Sequence, residues 1–575
     1  MAKKTMLGSY AAKQCPLRVY IEHDPTERAV PAPPDDALQQ LFDDGFDFEA
    51  SIFDEIEQLQ PNDVVRIPGR DDLTFPERRM LTVAAMEGGA GVILGAVLPV
   101  DTKGRRLGEV DVLVAGPTPL PSGKTAYRPV DVKNHRCTVN VDDLPEPGFV
   151  HGLRFRGADE STQQLWAPKY NENDCLQLAH YFRMLQALGC AEPAVAETGA
   201  VWAGVIGSER VVAWVDLNEP AFPTVTPQVS ESSGRRTMKF HKRQRSNKRS
   251  ALDRYDFEFA FRLDLADKAM ARTSRRTKRP VEPVQVKECG YCPWAEVCDE
   301  ELRRRDDVSL VNAVGYPAWA FHRFNGVDTV AKLAALDPAD PAYADGPLTP
   351  AELKKQIGQA RAEQAGGLLL TDGWDDALLP RRDVEVDLDF ESTAEGRVYL
   401  WGSVVHHAQK GWKEHSGEYR AFMSLDPLDA AGEARLVAQL WRWLNGLRKR
   451  AVAAGLTFGV YGYHSKGTEG AALRRIAATK AANGLPTVKA VDALIGGDEW
   501  IDLLPLMQRK YLSNQGHGLK VVAVHEGFTW RDDDPGGLNS IAWYQAAVNG
   551  DQQAAQRIKD YNEDDCRATA SLRGL

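Results

Sequence analysis

The chain has 575 residues, 43% of them hydrophobic, with a formal net charge of −11 and eight cysteines. This length exceeds what one hydrophobic core fills, so about three domains are expected, and the cysteines are too sparse for a disulfide framework. The longest strongly apolar run, GVILGAVLPV at 91–100, is far shorter than a bilayer span, and the N-terminus MAKKTMLGSYAAK has no apolar signal core. No membrane partner and a cytoplasmic location are therefore expected.

Composition divides the chain into residues 1–305, an Ala-rich stretch at 306–380, and a part opening on a new strand-like run at 381–575. In the first part, DDGFDFEASIFDEIEQL and RMLTVAAME read as helices, and GVILGAVL, EVDVLVAG and YRPVDVK as strands. SGKT at 122–125 resembles a phosphate-binding loop, but the first glycine of that motif would fall on Thr118, so the stretch reads as a hairpin loop. Period-two alternation puts Asp131 and Lys133 on one face of a strand, with Asp111 on a neighbouring one. Two converging carboxylates can hold a divalent ion, and a lysine beside them can stabilise charge growing on a phosphate. DCLQLAHYFRMLQALG then reads as an amphipathic helix with Gln177 and Tyr181 four apart on one face, and AVWAGVIGSERVVAWVDL as a hairpin.

These residues, with Glu49 on the early helix, resemble the RecB-type branch of the PD-(D/E)XK nucleases. The resemblance implies a restriction-endonuclease-like fold with Glu49, Asp111, Asp131 and the Val132 carbonyl binding metal. It makes Lys133 catalytic, with Gln177 and Tyr181 positioning the lysine or the DNA strand. The interval from Lys133 to Gln177 is long for that family, which implies an insertion at 137–168. SGRRTMKFHKRQRSNKRS at 233–250 is strongly basic and reads as a phosphate-contacting tract. CGYCPWAEVC supplies Cys289, Cys292 and Cys298, and KQCPLRVY supplies Cys15. Four thiolates suit zinc or a [4Fe–4S] cluster equally well on ligand count. The resemblance to AddB and CRISPR-adaptation exonucleases implies the [4Fe–4S] cluster.

SLVNAVGYPAWAFHRFNGVDTVAKLAAL at 309–336 reads as short helices around a glycine turn, a helix-hairpin-helix-like arrangement with Ala313 at the usual first glycine; a plain helical linker fits it as well. VEVDLDFES at 384–392 is a strand with Asp387, Asp389 and Glu391 on one face. YHSKGTEGAALRRIAA places Glu469 at a helix start, and YNEDDC at 561–566 places Tyr561 and Asp565 four apart on a helix. Acids converging from separated segments are what a two-metal phosphodiesterase requires. In this order they resemble the DEDD 3′–5′ exonucleases of ribonuclease H-like fold. That resemblance implies Mg2+ or Mn2+ held by Asp389, Glu391, Glu469 and Asp565, with Tyr561 orienting the attacking water. The second motif matches loosely, with His464 and Thr468 where the family has Asn and an aromatic residue. Asp502 is expected to be either a supporting acid or a helix cap.

The whole therefore reads as an α/β multidomain protein resembling RecB-like nucleases that carry both domains. The expected function is a metal-dependent DNA nuclease trimming single-stranded ends in repair or recombination, with a helicase as a possible partner. An RNA-processing 3′–5′ exonuclease and a DNA-binding adaptor with a vestigial site are the rival readings. YNENDC at 170–175 nearly repeats YNEDDC, but the surroundings share neither order nor spacing, so the likeness is expected to be coincidental.

Overall fold

The computed structural model describes residues 5–575 except 118, 142–149, 156–165, 225–226, 233–234, 241–247, 345, 394–395, 427 and 534–536. The basic tract and the inserted segment fall in large part on residues outside those described. The chain forms two compact α/β units, one of residues 1–309, 315–326 and 341–347, the other of 310–314, 327–340 and 348–575. Of the middle stretch, helix Tyr316–Phe324 belongs to the first unit, and helices Val330–Ala334 and Pro350–Gln364 to the second. No helix among the described residues is long and apolar enough to cross a membrane.

The first unit opens with helices α1 (Pro16–His23) and α2 (Asp36–Leu59). Its sheet has seven strands: β1 (Val64–Arg66), β2 (Val92–Val97), β3 (Glu109–Ala115), β4 (Tyr127–Val132), β5 (Val150–His151), β6 (Trp202–Ile206) and β7 (Val212–Asp216). They lie in the order β1-β2-β3-β4-β6-β7-β5. β2, β3 and β4 are antiparallel neighbours, whereas β4 pairs with β6 in parallel. Helix α3 (Phe75–Glu87) precedes β2, and α4 (Glu172–Leu188) precedes β6. Asn171 caps α4 by accepting from the Asn173 and Asp174 amides, and Gly189 ends it in the left-handed region at φ 66°.

Alternation along the strands sorts the two faces. Val92, Leu94, Val112 and Val130 pack with Ile52 and Ile56 of α2, whereas Ile93, Leu113 and Tyr127 pack with Tyr181, Met184 and Leu185 of α4. Asp111 shares the parity of Leu113, and Asp131 that of Tyr127, so both carboxylates emerge on the α4 side. One step beyond the registered pair Val112 and Val130, they come opposite one another.

The second unit is built on a five-stranded sheet of β8 (Val384–Ser392), β9 (Val398–His407), β10 (Tyr419–Met423), β11 (Phe458–Gly462) and β12 (Trp500–Asp502). The order is β10-β9-β8-β11-β12, antiparallel on the β9 side of β8 and parallel on the β11 side. Val384, Val386 and Leu388 of β8 bury one face against Leu436, Leu440 and Leu444 of helix α5 (Ala430–Ala453). Each such side chain contributes about 1.5–3 kcal/mol on burial. The alternating residues Glu385, Asp387, Asp389 and Glu391 project from the other face, where the last helix α6 (Gln552–Ser571) and the residues that follow it meet them.

Candidate active sites

In the first unit, α4 delivers Gln177 and Tyr181 to the acidic edge of β3 and β4. Gln177 Nε2 donates to Asp131 Oδ1 at 3.2 Å and to the Tyr181 hydroxyl at 3.0 Å. Lys133 Nζ lies 2.5 Å from Asp131 Oδ2, without the alignment of a hydrogen bond, and donates to Gln177 Oε1 at 3.3 Å. Asp111 Oδ2 accepts from the Val132 amide at 2.7 Å, which ties the two acidic strands together. Glu49 and Asp111 line a cleft of about 800 Å³ together with Gln177 and Tyr181. The Glu49, Asp111 and Asp131 carboxylates are not gathered within 4.8 Å of one another.

Their electrostatics are nevertheless shared. Burial, then the charges of Asp131 and Glu49, push the Asp111 carboxyl well above its ordinary value, and burial with the Asp131 charge raises Glu49. Burial opposes the charge on Lys133, but Asp131 and Asp111 outweigh it and hold its pKa well above that of a free lysine. The N-terminal segment contributes groups that carry no motif. Lys13 Nζ donates to Gln177 Oε1 at 2.6 Å, and Ser9 Oγ accepts from the Tyr181 hydroxyl at 3.1 Å. Burial and the neighbouring Lys133 charge lower the Lys13 ammonium to about 8.

Cys15, Cys289, Cys292 and Cys298 line one small pocket with Leu17, Ile21 and Trp294. Burial raises the thiols of Cys289, Cys292 and Cys298, the last to about 12. The chain thus draws its N-terminal cysteine to the cluster some 270 residues later, where the Cys15 amide also donates a hydrogen bond to Glu288 Oε2 at 2.6 Å.

In the second unit, Asp389, Glu391 and Asp565 place carboxylate oxygens within 4.8 Å of one another. Asn562 Nδ2 donates to Asp389 Oδ2 at 2.7 Å, Ser540 Oγ to Glu391 Oε2 at 2.8 Å, and Trp530 Nε1 to Asp565 Oδ1 at 2.7 Å. Asn562 is itself held by the Tyr419 hydroxyl at 2.9 Å. A Cβ on Gly402, the β9 partner of Asp389, would run into Asn562 Oδ1, so this approach requires glycine. The Tyr561 hydroxyl accepts from Lys520 Nζ at 3.0 Å, which brings a cation to the edge of the acidic cluster.

Two unit charges 4.8 Å apart repel by about 3.5 kcal/mol at an effective dielectric of 20. Three ionised carboxylates therefore do not persist here without a compensating cation. Burial and then Asp565 push Glu391 up to about 8, and burial followed by the Asp565, Glu391 and Glu469 charges pushes Asp389 well above the ordinary range. Burial also raises Asp565. Oxygen-only donors of this kind suit a hard divalent ion such as Mg2+ or Mn2+. Glu469 is buried at the start of its helix, bonds to Thr468, and reaches about 7 through burial; its charge is felt at Asp389, but it stands outside the close trio. Asp502 accepts from the Leu504 and Lys466 amides, the bonding of a cap.

The two similar hexapeptides have different surroundings. In YNEDDC, Asn562 and Asp565 enter the acidic cluster, while Asp564 accepts from the Arg531 amide and guanidinium at 2.8 Å each. In YNENDC, the Tyr170 hydroxyl accepts from the Asp216 amide and Asn171 caps α4. Lys13, Lys520 and Asn562 are not among the residues that the sequence marks. Asn562 alone left a trace there, as an amide beside Tyr561 on a helix rich in acids.

Residues 479–575 match the family model of the RNase_H superfamily. That span includes Tyr561, Asn562 and Asp565 and begins beyond β8 and Glu469. No curated protein and no solved structure matches the chain. The C-terminal stretch 479–575 of this mixed α/β, multidomain protein is thus similar to the ribonuclease H superfamily.

Proposed function

We propose that the protein is a metal-dependent nuclease that removes nucleotides from DNA ends, with Asp389, Glu391 and Asp565 forming the phosphodiesterase centre of its ribonuclease H-like domain. The observation that carries this reading is the convergence of three carboxylates, from β8 and α6, within 4.8 Å in a unit whose residues 479–575 match that superfamily. A divalent ion bound there would polarise a phosphate oxygen and lower the pKa of a bound water. Asn562, Ser540 and Trp530 fix the three carboxylates by one hydrogen bond each, so that the acids need no reorganisation. Tyr561, held by Lys520, presents its hydroxyl for orienting a water, and the lysine supplies positive charge for the phosphate. Glu469 completes the acidic lining.

The first unit is proposed as a second nuclease domain of PD-(D/E)XK type, with Glu49, Asp111, Asp131 and the Val132 carbonyl as the metal-binding set. Lys133 is the catalytic cation, and Gln177 positions it against Asp131. The Cys15, Cys289, Cys292 and Cys298 pocket is proposed to hold a [4Fe–4S] cluster. The four thiols line one small pocket, and four thiolates are the ligand set of such a cluster. Iron and sulfide in anaerobically purified protein support the cluster, and stoichiometric zinc in that pocket refutes it.

Digestion of matched end-labelled DNA and RNA oligonucleotides, single- and double-stranded, in Mg2+ or Mn2+ tests the substrate. Loss of nucleotides from single-stranded DNA ends is expected. Exclusive degradation of RNA would replace DNA by RNA as the substrate, and binding without cleavage of either would make the protein an adaptor.

A further inference from the structure

A third group of ligand-type side chains lies in the first unit, away from the four-cysteine pocket. His135, on the segment leaving β4, Cys137, just before strand Thr138–Asn140, and Asp174, in the first turn of α4, place one ligand atom each within 4.8 Å of one another. The Cys137 sulfur is 3.7 Å from His135 Nδ1, and His135 Nε2 is 3.2 Å from Asp174 Oδ2. Cys137 and Asp174 are buried, whereas the His135 side chain is 43% exposed.

The segment that carries His135 and Cys137 is held by a prepared backbone. Glu209 accepts from the Cys137 amide at 3.2 Å, from the Thr138 amide at 3.0 Å and from the Thr138 hydroxyl at 2.5 Å. The Lys169 amide donates to the Cys137 carbonyl at 2.9 Å, and the Ser208 amide to the His135 carbonyl at 3.0 Å. A Cβ at Gly207 would come within 2.8 Å of both the Cys137 nitrogen and the His135 oxygen, so the segment is seated where only glycine allows it. Asp174 is fixed by its helix. Two of the three ligands are thus buried, and the third is an imidazole at the surface with room to turn.

We propose that His135, Cys137 and Asp174 form a zinc site, with water completing the coordination. A thiolate, an imidazole and a carboxylate together select a borderline-soft ion, in contrast to the all-oxygen cluster of the second unit. Ligands on one tetrahedral zinc stand about 3.3–3.6 Å apart, close to the two separations present. Those contacts use opposite nitrogens of the His135 ring, so binding requires the exposed imidazole to turn until one nitrogen faces both partners. The ion would then tie the segment following Lys133 to the turn of α4 that precedes Gln177, fixing the lysine and glutamine relative to each other. Zinc binding itself does not depend on nuclease activity at that site.

The test uses the full chain as purified, titrated with Co2+ and then Zn2+. One equivalent of Co2+ is expected to give a thiolate charge-transfer band and the visible bands of a tetrahedral site, both displaced by Zn2+. Cys137→Ser should remove the charge-transfer band, and His135→Ala and Asp174→Asn should weaken binding at least about tenfold. His135 is at the surface, so its replacement by alanine leaves the fold intact, which circular dichroism checks. No uptake by the wild type, or a thiolate band that survives both Cys137→Ser and His135→Ala, would overturn the proposal. The first result would leave an imidazole–carboxylate ion pair packed on a thiol, and the second would place the cobalt at other cysteines.

Discussion

Asp387 and Asp389 lie two residues apart on one face of β8, yet they meet different partners: Arg573 donates to both oxygens of Asp387 at 2.8 and 2.9 Å, while Asp389 meets the Asn562 amide at 2.7 Å. The column of acids is thereby divided. Glu385 and Asp387 are neutralised by arginine from the end of the chain, and Asp389 and Glu391 are left to the cluster with Asp565.

The Asp387–Arg573 pair is fully buried, with 0% exposure of both side chains. Even with the guanidinium present, burial lifts Asp387 to about 7. Arg573→Met should therefore destabilise the second unit by about 3–5 kcal/mol in chemical denaturation, because an unpaired buried carboxylate remains. Asp387→Leu combined with Arg573→Met should recover most of that loss.

The acid trio makes metal-free stability depend on pH in a defined direction. Burial and Asp565 raise Glu391 to about 8 in the folded chain, above the ordinary glutamate value. The folded state therefore keeps a proton that the unfolded state releases, and stability falls as pH rises from about 4.5 to about 8. Thermal melting in chelator should show this decline, and Glu391→Gln should flatten it. Mg2+ should raise the midpoint more at pH 8 than at pH 6.

Gly402→Ala should act on the same cluster through Asn562. The added methyl meets Asn562 Oδ1, so either the amide or strand β9 must move. A cost of about 1–3 kcal/mol is expected from the overpacking. Asn562→Ala, which removes the amide bonded to Asp389, should cost about 10–100-fold in Mg2+ affinity or in C-terminal activity. Calorimetric Mg2+ titration and oligonucleotide digestion measure the two effects.

Lys13→Met addresses the first unit. The ammonium that bonds Gln177 beside Lys133 disappears, and cleavage by this unit should fall about 10–100-fold when measured in an Asp389→Ala background. Thermal stability should hold or rise, since burial and repulsion from Lys133 already disfavour the Lys13 charge.

The parts of these sites that the sequence displays are those with a short period. Alternation on β8 exposes Asp389 and Glu391 as a pair, and the helical repeat joins Tyr561 to Asp565 and Gln177 to Tyr181. Asp111 and Asp131 are visible because each interrupts an aliphatic strand. Partners joined only through tertiary structure leave no such trace. Lys13 reaches Gln177 across 164 positions, and Asn562 reaches Asp389 across 173. Lys520 lies in the first turn of a short helix with no motif of its own. Glu469 lies at a helix start as its sequence suggests, yet helix position does not fix its distance from the trio. The cysteine pocket is intermediate, because the spacing of Cys289, Cys292 and Cys298 is local and only Cys15 is remote.

Two separable nuclease centres in one chain are the central claim. End-labelled single-stranded DNA should be digested in Mg2+ by the wild type, Asp131→Ala, Asp389→Ala and the double variant, with rates resolved by product pattern. Each single substitution is expected to remove one component by at least about 100-fold and leave the other, with the double variant inactive. A double variant that still cut DNA at the wild-type rate would contradict the account.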